Sequence, residues 1–174
     1  DVVVEGYVRS DAVLPLVVVG SAPYSDAYTE RIASLADERV RLPGGIWDQE
    51  LLDQLYAGAL VYYHGHSVGG TNPSLLRAIG AGAAVDAFDV SFNREVLGDA
   101  GRYWRGANDV TRLVASAEAD PAAQAARGEL SRERAALYDW DEVADRYEAL
   151  CRELAASGPR SDRPSGRRAG IAPS

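Results

Sequence analysis

The stretch from His64 to Asn72, HGHSVGGTN, holds the residues whose types and spacing are best suited to binding a ligand. It follows the apolar run LVYY, Leu60 to Tyr63, and precedes Pro73. Asn is a preferred N-cap and Pro is favoured at the first helical position, so a helix is predicted to begin here. A strand, a Gly-Gly turn and a helix N-terminus in succession present backbone amides and a positive dipole end to a phosphate. An ordinary strand-to-helix connection has the same pattern, so the glycine pair alone is weak evidence.

The two histidines of the chain, His64 and His66, flank Gly65 at the end of the predicted strand. A His-x-His pair can bind a metal ion, but no Cys or third His lies nearby, so we expect no metal site. The pair has two other interpretations: hydrogen bonding to a ligand or loop, and a purely structural role. Asp86 lies on the next predicted strand, where a buried and hydrogen-bonded carboxylate is expected.

The hydrophobic pattern predicts the elements that position this stretch. Leu14 to Gly20, LPLVVVG, is apolar without alternation, which is typical of a fully buried strand in a parallel sheet. Four more strands are predicted at Val40–Leu42, Leu60–Tyr63, Ala84–Phe88 and Arg102–Trp104, with helices between them. Strands and helices that alternate with short connections predict a parallel sheet covered by helices on both faces.

Several helix starts follow from capping residues. A helix is predicted to begin at Ser25 or Asp26, another after Asp48, and three more in the last third of the chain. The caps of those three are Asn108, Asp120 and Asp139. Asp1 to Ser10 fits either a helix or a strand.

Composition limits the class of protein. At 174 residues and 47% hydrophobic, the chain suits one domain, predicted over residues 1–156. Residues 157–174, SGPRSDRPSGRRAGIAPS, have too few apolar residues to fold and are predicted to be a disordered tail. The chain contains no Met and starts at Asp1, so we expect it to be a fragment.

Charge and cysteine content exclude further classes. A formal charge of −8 argues against a nucleic-acid binder, because phosphate contacts need a basic face. No apolar run approaches the roughly 20 residues of a membrane span. The lone Cys151 excludes an internal disulfide framework and fits a reducing compartment; it lies on a helical pattern and is expected to be a buried structural thiol.

Parallel sheets bind ligands beyond the carboxyl ends of their strands. That rule places four connections on one rim of the predicted sheet. They are Gly20 to Pro23, Pro43 to Gly45, His64 to Asn72, and Asp89 to Asn93.

With this rim assembled, HGHSVGGTNPSLLRAIGAGAAVDAFDVSFNREVLGDAGRYW resembles the C-terminal, donor-binding domain of GT-B glycosyltransferases of family four. It looks like the branch in which GGTNPSLLEAM replaces EGFGLPLLEAM. LPLVVVGSAP and VRLPGGIWDQELLDQLYAGALVY resemble the preceding units, so the likeness spans about residues 1–154. It implies a Rossmann-like three-layer α/β/α fold, the C-terminal half of a GT-B fold lacking its first strand, with extra C-terminal helices. It also implies a helix before the LVVVG strand.

The resemblance implies where a nucleotide-sugar donor binds. Its diphosphate would lie on the amides of the turn Gly69, Gly70, Thr71 and Asn72. The nucleobase would lie against the turns Gly20-Ser21 and Pro43-Gly44.

Two departures from the family concern its usual pair of glutamates, which correspond to Gly69 and Arg77. The first normally contacts the sugar, so that role falls to His66, Ser67 or backbone groups. The second normally accepts hydrogen bonds from ribose; Arg77 has donors only, and can pair with a phosphate or a nearby carboxylate instead.

The activity implied is transfer of a hexosyl group, with retention, from a nucleotide-diphosphate sugar to a glycan, lipid or small-molecule acceptor. The acceptor would bind an N-terminal domain that the chain lacks, so the fragment is expected to be inactive alone. No metal or other cofactor and no nucleic acid is expected. The expected location is the cytoplasm, with peripheral association of the parent with the inner face of the cell membrane left open. The alternatives are a degenerate sugar-nucleotide-binding or interaction module and a sugar-nucleotide epimerase.

The family's first strand, absent here, lies at the centre of the usual 3-2-1-4-5-6 order. Its absence would leave strand edges at Leu14 to Gly20 and Leu60 to Tyr63, which favour aggregation when unpaired. We therefore expect the isolated chain to be unstable, to form a homodimer, or to close the gap by pairing these strands directly.

Overall fold

The computed structural model describes residues 1–21 and 26–157, except the side chain of Asp26. Contacts divide the chain into two units, Asp1–Tyr138 and Asp139 onward. The predicted cap at Ser25 or Asp26 and all but the first residue of the predicted tail lie outside the described residues.

In the first unit, strands and helices alternate as predicted. The helices are α1 (Val2–Val8), α2 (Asp26–Leu35), α3 (Gln49–Gly58), α4 (Pro73–Gly80), α5 (Ser91–Leu97), α6 (Ala107–Ala119) and α7 (Pro121–Ala135), with a short 3₁₀ helix at Gly98–Ala100. The strands are β1 (Leu16–Val19), β2 (Val40–Gly44), β3 (Tyr62–His64), β4 (Val85–Phe88) and β5 (Gly101–Trp104).

The segment Asp1 to Ser10 contains a helix, α1 (Val2–Val8), as the resemblance implied and the pattern alone left open. The Asp1 carboxylate accepts a hydrogen bond from the backbone of Val2 at 2.8 Å and caps α1. Gly6 lets α1 approach α6 closely, because a Cβ there would lie 2.5 Å from the carbonyl oxygen of Ala107. Thr111 of α6 donates a hydrogen bond to the Gly6 carbonyl at 2.7 Å.

The strands are parallel and form two sheets. One pairs β1 with β2, and the other has the order β3-β4-β5. Among the described strands, β1 and β3 each have one edge without a partner, as predicted. Of the three alternatives expected for these edges, direct pairing of the two strands is wrong, because they belong to separate sheets.

β1 is less buried than its sequence predicts. Val17 and Val19 are 38% and 37% exposed, so the prediction of a fully buried strand is wrong. Val17 and Val19 alternate with the half-buried Leu16 and Val18, so they share one face of the sheet, and the described elements cover that face only in part.

The core surrounds the three-stranded sheet. Leu75, Ile79, Val85 and Leu97 are buried in a cluster that joins α4, β4 and α5. Tyr7, Trp104, Val110 and Val114 form a second cluster that joins α1, β5 and α6.

Asp86 on β4 is buried, and its carboxylate accepts hydrogen bonds from two arginines. Arg102 of β5 lies 2.8 Å from Oδ2, and Arg127 of α7 lies 2.9 Å from Oδ1. The predicted buried, hydrogen-bonded carboxylate is confirmed, and its second partner attaches α7 to the sheet.

Three of the predicted N-caps outside the His64–Asn72 stretch are confirmed. Asp48 accepts from Glu50 and Leu51, Asp120 from Ala123, and Asp139 from Asp141. The cap at Asn108 is wrong, because Gly106 is the N-cap of α6. Asp109 in the first turn accepts a hydrogen bond at 2.9 Å from the amide of Arg105, which precedes the N-cap.

The second unit contains α8 (Trp140–Ala156). None of its residues is buried, and Cys151 is exposed, so the expectation of a buried thiol is wrong. Within the described residues, no helix is long and apolar enough to cross a membrane.

Candidate functional site

The turn between β3 and α4 has the predicted helix start. Asn72 Oδ1 accepts hydrogen bonds from the Ser74 amide at 3.0 Å and the Ser74 hydroxyl at 2.6 Å. The amides of Leu75 and Leu76 donate to the Asn72 carbonyl. The first amides of α4 are therefore satisfied within the helix start.

The backbone amides just before α4 differ from those at its start, because they have no such acceptor. Within the described part of the chain, the backbone N–H groups of Gly69, Gly70, Thr71 and Asn72 have no protein acceptor. Gly69 has φ +118°, which side-chain-bearing residues rarely adopt, and residues 69–71 are exposed. The predicted diphosphate turn thus presents four consecutive donors beside the positive end of the α4 dipole.

A hydrogen-bond chain joins β3 to this turn. The Tyr62 hydroxyl donates to Ser74 Oγ at 3.4 Å, and Ser74 donates to Asn72. The Tyr62 oxygen also lies 3.2 Å from His64 Nδ1, so this hydroxyl links the turn to His64.

His64 is completely buried, and in the described structure its Nε2 has no hydrogen-bond partner. Its ring stacks on His66, with centroids 4.7 Å apart and an interplanar angle of 18°. Burial, followed by the charge of His66, lowers the pKa of His64 from 6.5 to about 4. His64 is therefore a neutral structural support for the loop, while His66 and Ser67 are exposed on it.

The buried imidazole makes stability depend on pH. Between pH 6.5 and 4 the unfolded chain protonates His64 and the folded protein does not, so the unfolded state binds more protons and stability falls as pH falls. Between pH 8 and pH 5.5 we expect His64 to account for a loss of about 1.4 kcal/mol in the free energy of unfolding. Urea unfolding of the wild type and His64→Leu at both pH values measures this loss. An equal pH dependence of the two proteins would contradict it.

The loop after β3 has a second support. Asn93 of α5 is buried and donates to the carbonyls of His66, at 3.1 Å, and Phe88, at 2.9 Å. It ties the loop that carries His66 and Ser67 to the end of β4.

The turns after β1 and β2, predicted to hold a nucleobase, lie together. The Gly20 amide donates to the Gly44 carbonyl at 3.0 Å. The Ser21 hydroxyl oxygen lies 3.2 Å from the position that a Cβ on Gly45 would occupy. Pro43 is the exposed residue before Gly44 on β2.

Arg77 pairs with groups of α3. Its Nε lies 2.5 Å from Asp53 Oδ1, its Nη2 donates to the Gln49 carbonyl at 2.8 Å, and its Nη1 donates to Gln49 Oε1. The sequence left a phosphate and a carboxylate as possible partners of Arg77, and in this structure the partner is a carboxylate. The hydrogen bond between the two side chains raises the pKa of Arg77 and lowers the pKa of Asp53.

The two parts of the predicted rim are linked through other residues. Within the described residues no hydrogen bond joins Gly20, Ser21, Pro43 or Gly44 to the Gly69–Asn72 turn. The connection runs through Arg77 to Gln49, at the start of α3. A concave region of about 220 Å³ lies elsewhere, between the 3₁₀ helix and α7, and none of the rim residues lines it.

Sequence reasoning missed Gln49 and Asp53, and it placed Asn93 on the rim without giving it a role. Gln49 and Asp53 are four residues apart and share a face of α3, which a helical pattern could have shown, but their partner is 24 or more residues away. Within residues 1–21 and 26–157, no group of three or more His, Cys, Asp or Glu side chains could hold a metal ion.

Comparison with known proteins adds the fold relationship. No protein-family model and no curated protein matches the chain. HepE from Anabaena, solved in complex with UDP, superposes with a TM-score of 0.79 at 14% identity, over 88% of this chain and 44% of that one. The complex of the same protein with UDP-glucose has a TM-score of 0.77.

Two further structures are similar. Sucrose-phosphate synthase from Thermosynechococcus elongatus has a TM-score of 0.76 at 27% identity, over 90% of this chain and 43% of that one. Pneumococcal O-GlcNAc transferase GtfA, in complex with UDP and GlcNAc, has a TM-score of 0.61 at 20% identity, over 80% of this chain and 29% of that one. The chain spans less than half the length of these proteins. It has a mixed α/β fold with parallel sheets whose structural neighbours are GT-B glycosyltransferases.

Proposed function

We propose that this chain is the donor-binding part of a glycosyltransferase that moves a hexosyl group from a nucleotide-diphosphate sugar to an acceptor. The observation that carries the proposal is the turn Gly69–Asn72, where four amides without a protein acceptor adjoin the N-terminus of α4. Structural neighbours that bind UDP and UDP-glucose support the choice of a nucleotide sugar.

The chemistry follows from the charge of the leaving group. Breaking the bond between sugar and diphosphate increases negative charge on the phosphate oxygens. Amides and a helix dipole aimed at those oxygens stabilise this charge as it develops, which lowers the barrier to transfer. The proposed reaction uses no metal ion and retains the anomeric configuration, as in the family that the sequence resembles.

The sugar would lie beside His66 and Ser67. Both are exposed on the loop that leads into the turn, and Asn93 and the buried His64 support that loop from below. The acceptor, a glycan, lipid or small molecule, would bind a second domain of the full-length protein in the cytoplasm.

The test is calorimetric titration of the full-length protein with UDP, ADP, GDP and inorganic pyrophosphate. Binding of at least one nucleotide, and of pyrophosphate more weakly, is the expected result. The absence of binding by all of them would contradict the proposal. Incubation with the matching sugar nucleotide, followed by NMR of the released sugar, reports transfer or hydrolysis and the anomer formed.

One observation favours a second candidate, a binding module without transfer activity. Gly69 has no side chain, and Arg77 is held by Asp53 and Gln49, so neither position offers the carboxylate that the resembling family uses. Nucleotide binding without release of sugar from any bound sugar nucleotide, with acceptors supplied, would establish the module.

A further inference from the structure

Asp89, Arg94 and Arg105 form a charged group, the Asp89 cluster, near the carboxyl ends of β4 and β5. Arg94 Nε donates a hydrogen bond to one oxygen of the Asp89 carboxylate, and Arg105 Nε donates to the other at 2.9 Å. The Asp89 side chain is 12% exposed, whereas those of Arg94 and Arg105 are 53% and 77% exposed. The hydrogen bond from Arg94 lowers the pKa of Asp89, so the carboxylate is ionised at neutral pH. Two guanidinium groups and one carboxylate leave the cluster with an excess of one positive charge.

The sheet sets the position of this cluster. β4 and β5 are parallel, and Phe88 pairs with Trp104 at their carboxyl ends. The Asp89 amide donates to the Trp104 carbonyl at 2.9 Å. Asp89 and Arg105 directly follow the two paired residues, so both lie at the edge where parallel sheets bind ligands.

The Asp89 cluster adjoins the loop that carries His66. Arg94 directly follows Asn93, whose side chain donates to the His66 carbonyl at 3.1 Å. Arg105 directly follows Trp104, whose ring lies 3.9 Å from the position that a Cβ on Gly65 would occupy. Both arginines therefore follow residues that lie against the loop beside which the sugar of the donor is proposed to bind.

Comparison with Asp86, which also receives two arginines, shows what distinguishes the Asp89 cluster. Every guanidinium nitrogen of Arg102 and Arg127 donates to a protein oxygen. In the Asp89 cluster, the described part of the chain supplies acceptors for the two Nε atoms but for none of the Nη nitrogens. The network at Asp86 is closed within the protein, whereas the Asp89 cluster retains donors for another acceptor.

Both guanidinium groups of the cluster are held in place before a ligand arrives. Arg94 lies over the ring of Tyr103, with its Cζ 4.2 Å from the ring centroid. Asp89 holds both arginines through Nε, which leaves their Nη atoms as the available donors. An oriented guanidinium loses less conformational entropy when it forms a further hydrogen bond. Its planar donors match the oxygens of a carboxylate or a phosphate.

We propose that Arg94 and Arg105 bind one oxyanion group, a carboxylate or a phosphate, that is carried by the sugar of the donor or by the acceptor. The inference rests on the proposed function, because it assigns a charged substituent to one of the two reactants of that transfer. The diphosphate itself is assigned to the turn that follows β3, whereas the cluster follows β4 and β5.

The first experiment measures binding of inorganic phosphate to the full-length protein. The protein is saturated with the nucleoside diphosphate that it binds most tightly, so that the diphosphate turn is occupied, and the phosphate resonance is followed by phosphorus NMR. We expect saturable binding that Arg105→Gln weakens about 10-fold, the lower end of the loss expected for a hydrogen bond to a charged group. Arg94→Gln should weaken it by a similar factor.

A matched control and a check of folding accompany these variants. Arg146→Gln removes a guanidinium that is also 77% exposed and paired with one carboxylate, Glu142, but lies on α8. It should bind phosphate as the unmodified protein does. Thermal unfolding checks that each variant keeps its fold, which matters most for Arg94 because of its contact with Tyr103.

Two pairs of ligands identify which reactant carries the anion. UDP-glucuronate and UDP-glucose, or the same esters of the preferred nucleotide, differ by a carboxylate on the donor sugar. Glucuronate and glucose, added with the nucleotide bound, differ in the same way as acceptors. Tighter binding of the charged member of the first pair, lost in Arg105→Gln, assigns the anion to the donor. Glucuronate that binds more tightly than both glucose and acetate, and loses this preference in Arg105→Gln, assigns it to the acceptor.

The outcomes separate the inference from the proposed function. Phosphate binding that is absent, or that Arg94→Gln and Arg105→Gln leave unchanged, would overturn the oxyanion site and leave the proposed function standing. Arginine-dependent phosphate binding without a preference in either ligand pair would mean an adventitious ion only, and would also overturn the inference. The absence of binding by every nucleoside diphosphate and by pyrophosphate would overturn the proposed function and this inference with it.

Discussion

Replacement of Asp86 by alanine is expected to lower the free energy of unfolding by about 3–5 kcal/mol. Asp86 is completely buried, and its two oxygens receive Arg102 at 2.8 Å and Arg127 at 2.9 Å. Removal of the carboxylate leaves two largely buried guanidinium groups without a counter-charge. Burial already lowers the pKa of Arg127 from its ordinary value, which shows that its charge is costly in this position. The change therefore weakens the attachment of α7 to the sheet.

Chemical denaturation at neutral pH measures this loss. Glu129→Ala is the matched control, because it removes a carboxylate paired with Arg132 on the exposed face of the same helix. Exposed pairs contribute about 0–1 kcal/mol, so the control should remain close to the wild type. Equal losses for Asp86→Ala and Glu129→Ala would show that the buried network does not stabilise the fold.

Gly70→Asp is expected to weaken nucleotide-diphosphate binding about 100-fold. Two like unit charges 4 Å apart repel by about 4 kcal/mol at an effective dielectric constant of 20 and by about 1 kcal/mol in bulk water. An exposed turn lies between these limits, and a 100-fold loss of affinity corresponds to about 2.7 kcal/mol. The folded protein accepts the side chain, because nothing lies within 4 Å of the position that a Cβ on Gly70 would occupy. The predicted effect is therefore on the ligand rather than on the fold.

Two controls isolate the charge. Gly70→Asn has nearly the same shape without the charge and should bind UDP within a few-fold of the wild type. Gly58→Asp adds a carboxylate at another open glycine, at the end of α3, and should leave binding unchanged. Titration calorimetry measures the affinities, and thermal unfolding checks that each variant folds. Similar UDP affinities of Gly70→Asp and Gly70→Asn would place the diphosphate elsewhere.

The sequence correctly predicted helix starts where a side chain close in the chain caps the helix. Asp48, Asn72, Asp120 and Asp139 cap their helices because the acceptor and the amide it satisfies are two or three residues apart. Asn108 shows the limit of the rule. Asp109, one residue later, satisfies an amide outside the helix, and α6 begins earlier than its sequence predicts.

Burial was harder to predict than secondary structure. The pattern of β1 correctly indicates a strand, but Val17 and Val19 lie on a face of the sheet that the described elements cover only in part. Whether an apolar strand is covered depends on elements distant in sequence, so no local pattern contains that information.

The sequence by itself determined the alternation of strands and helices and the Gly-Gly turn before a capped helix, because both depend on residues close together in the chain. Only the tertiary structure decided which partners the charged and aromatic side chains have. It paired Asp86 with Arg127, held Arg77 with Asp53 and Gln49, and packed Phe88 against Trp104. The physical reason is that these contacts form where separate elements pack together, and the sequence between the partners contains no signal for the pairing. The helix start at Asn72 could be predicted from the sequence, whereas the attachment of Arg77 to α3 could be found only in the fold.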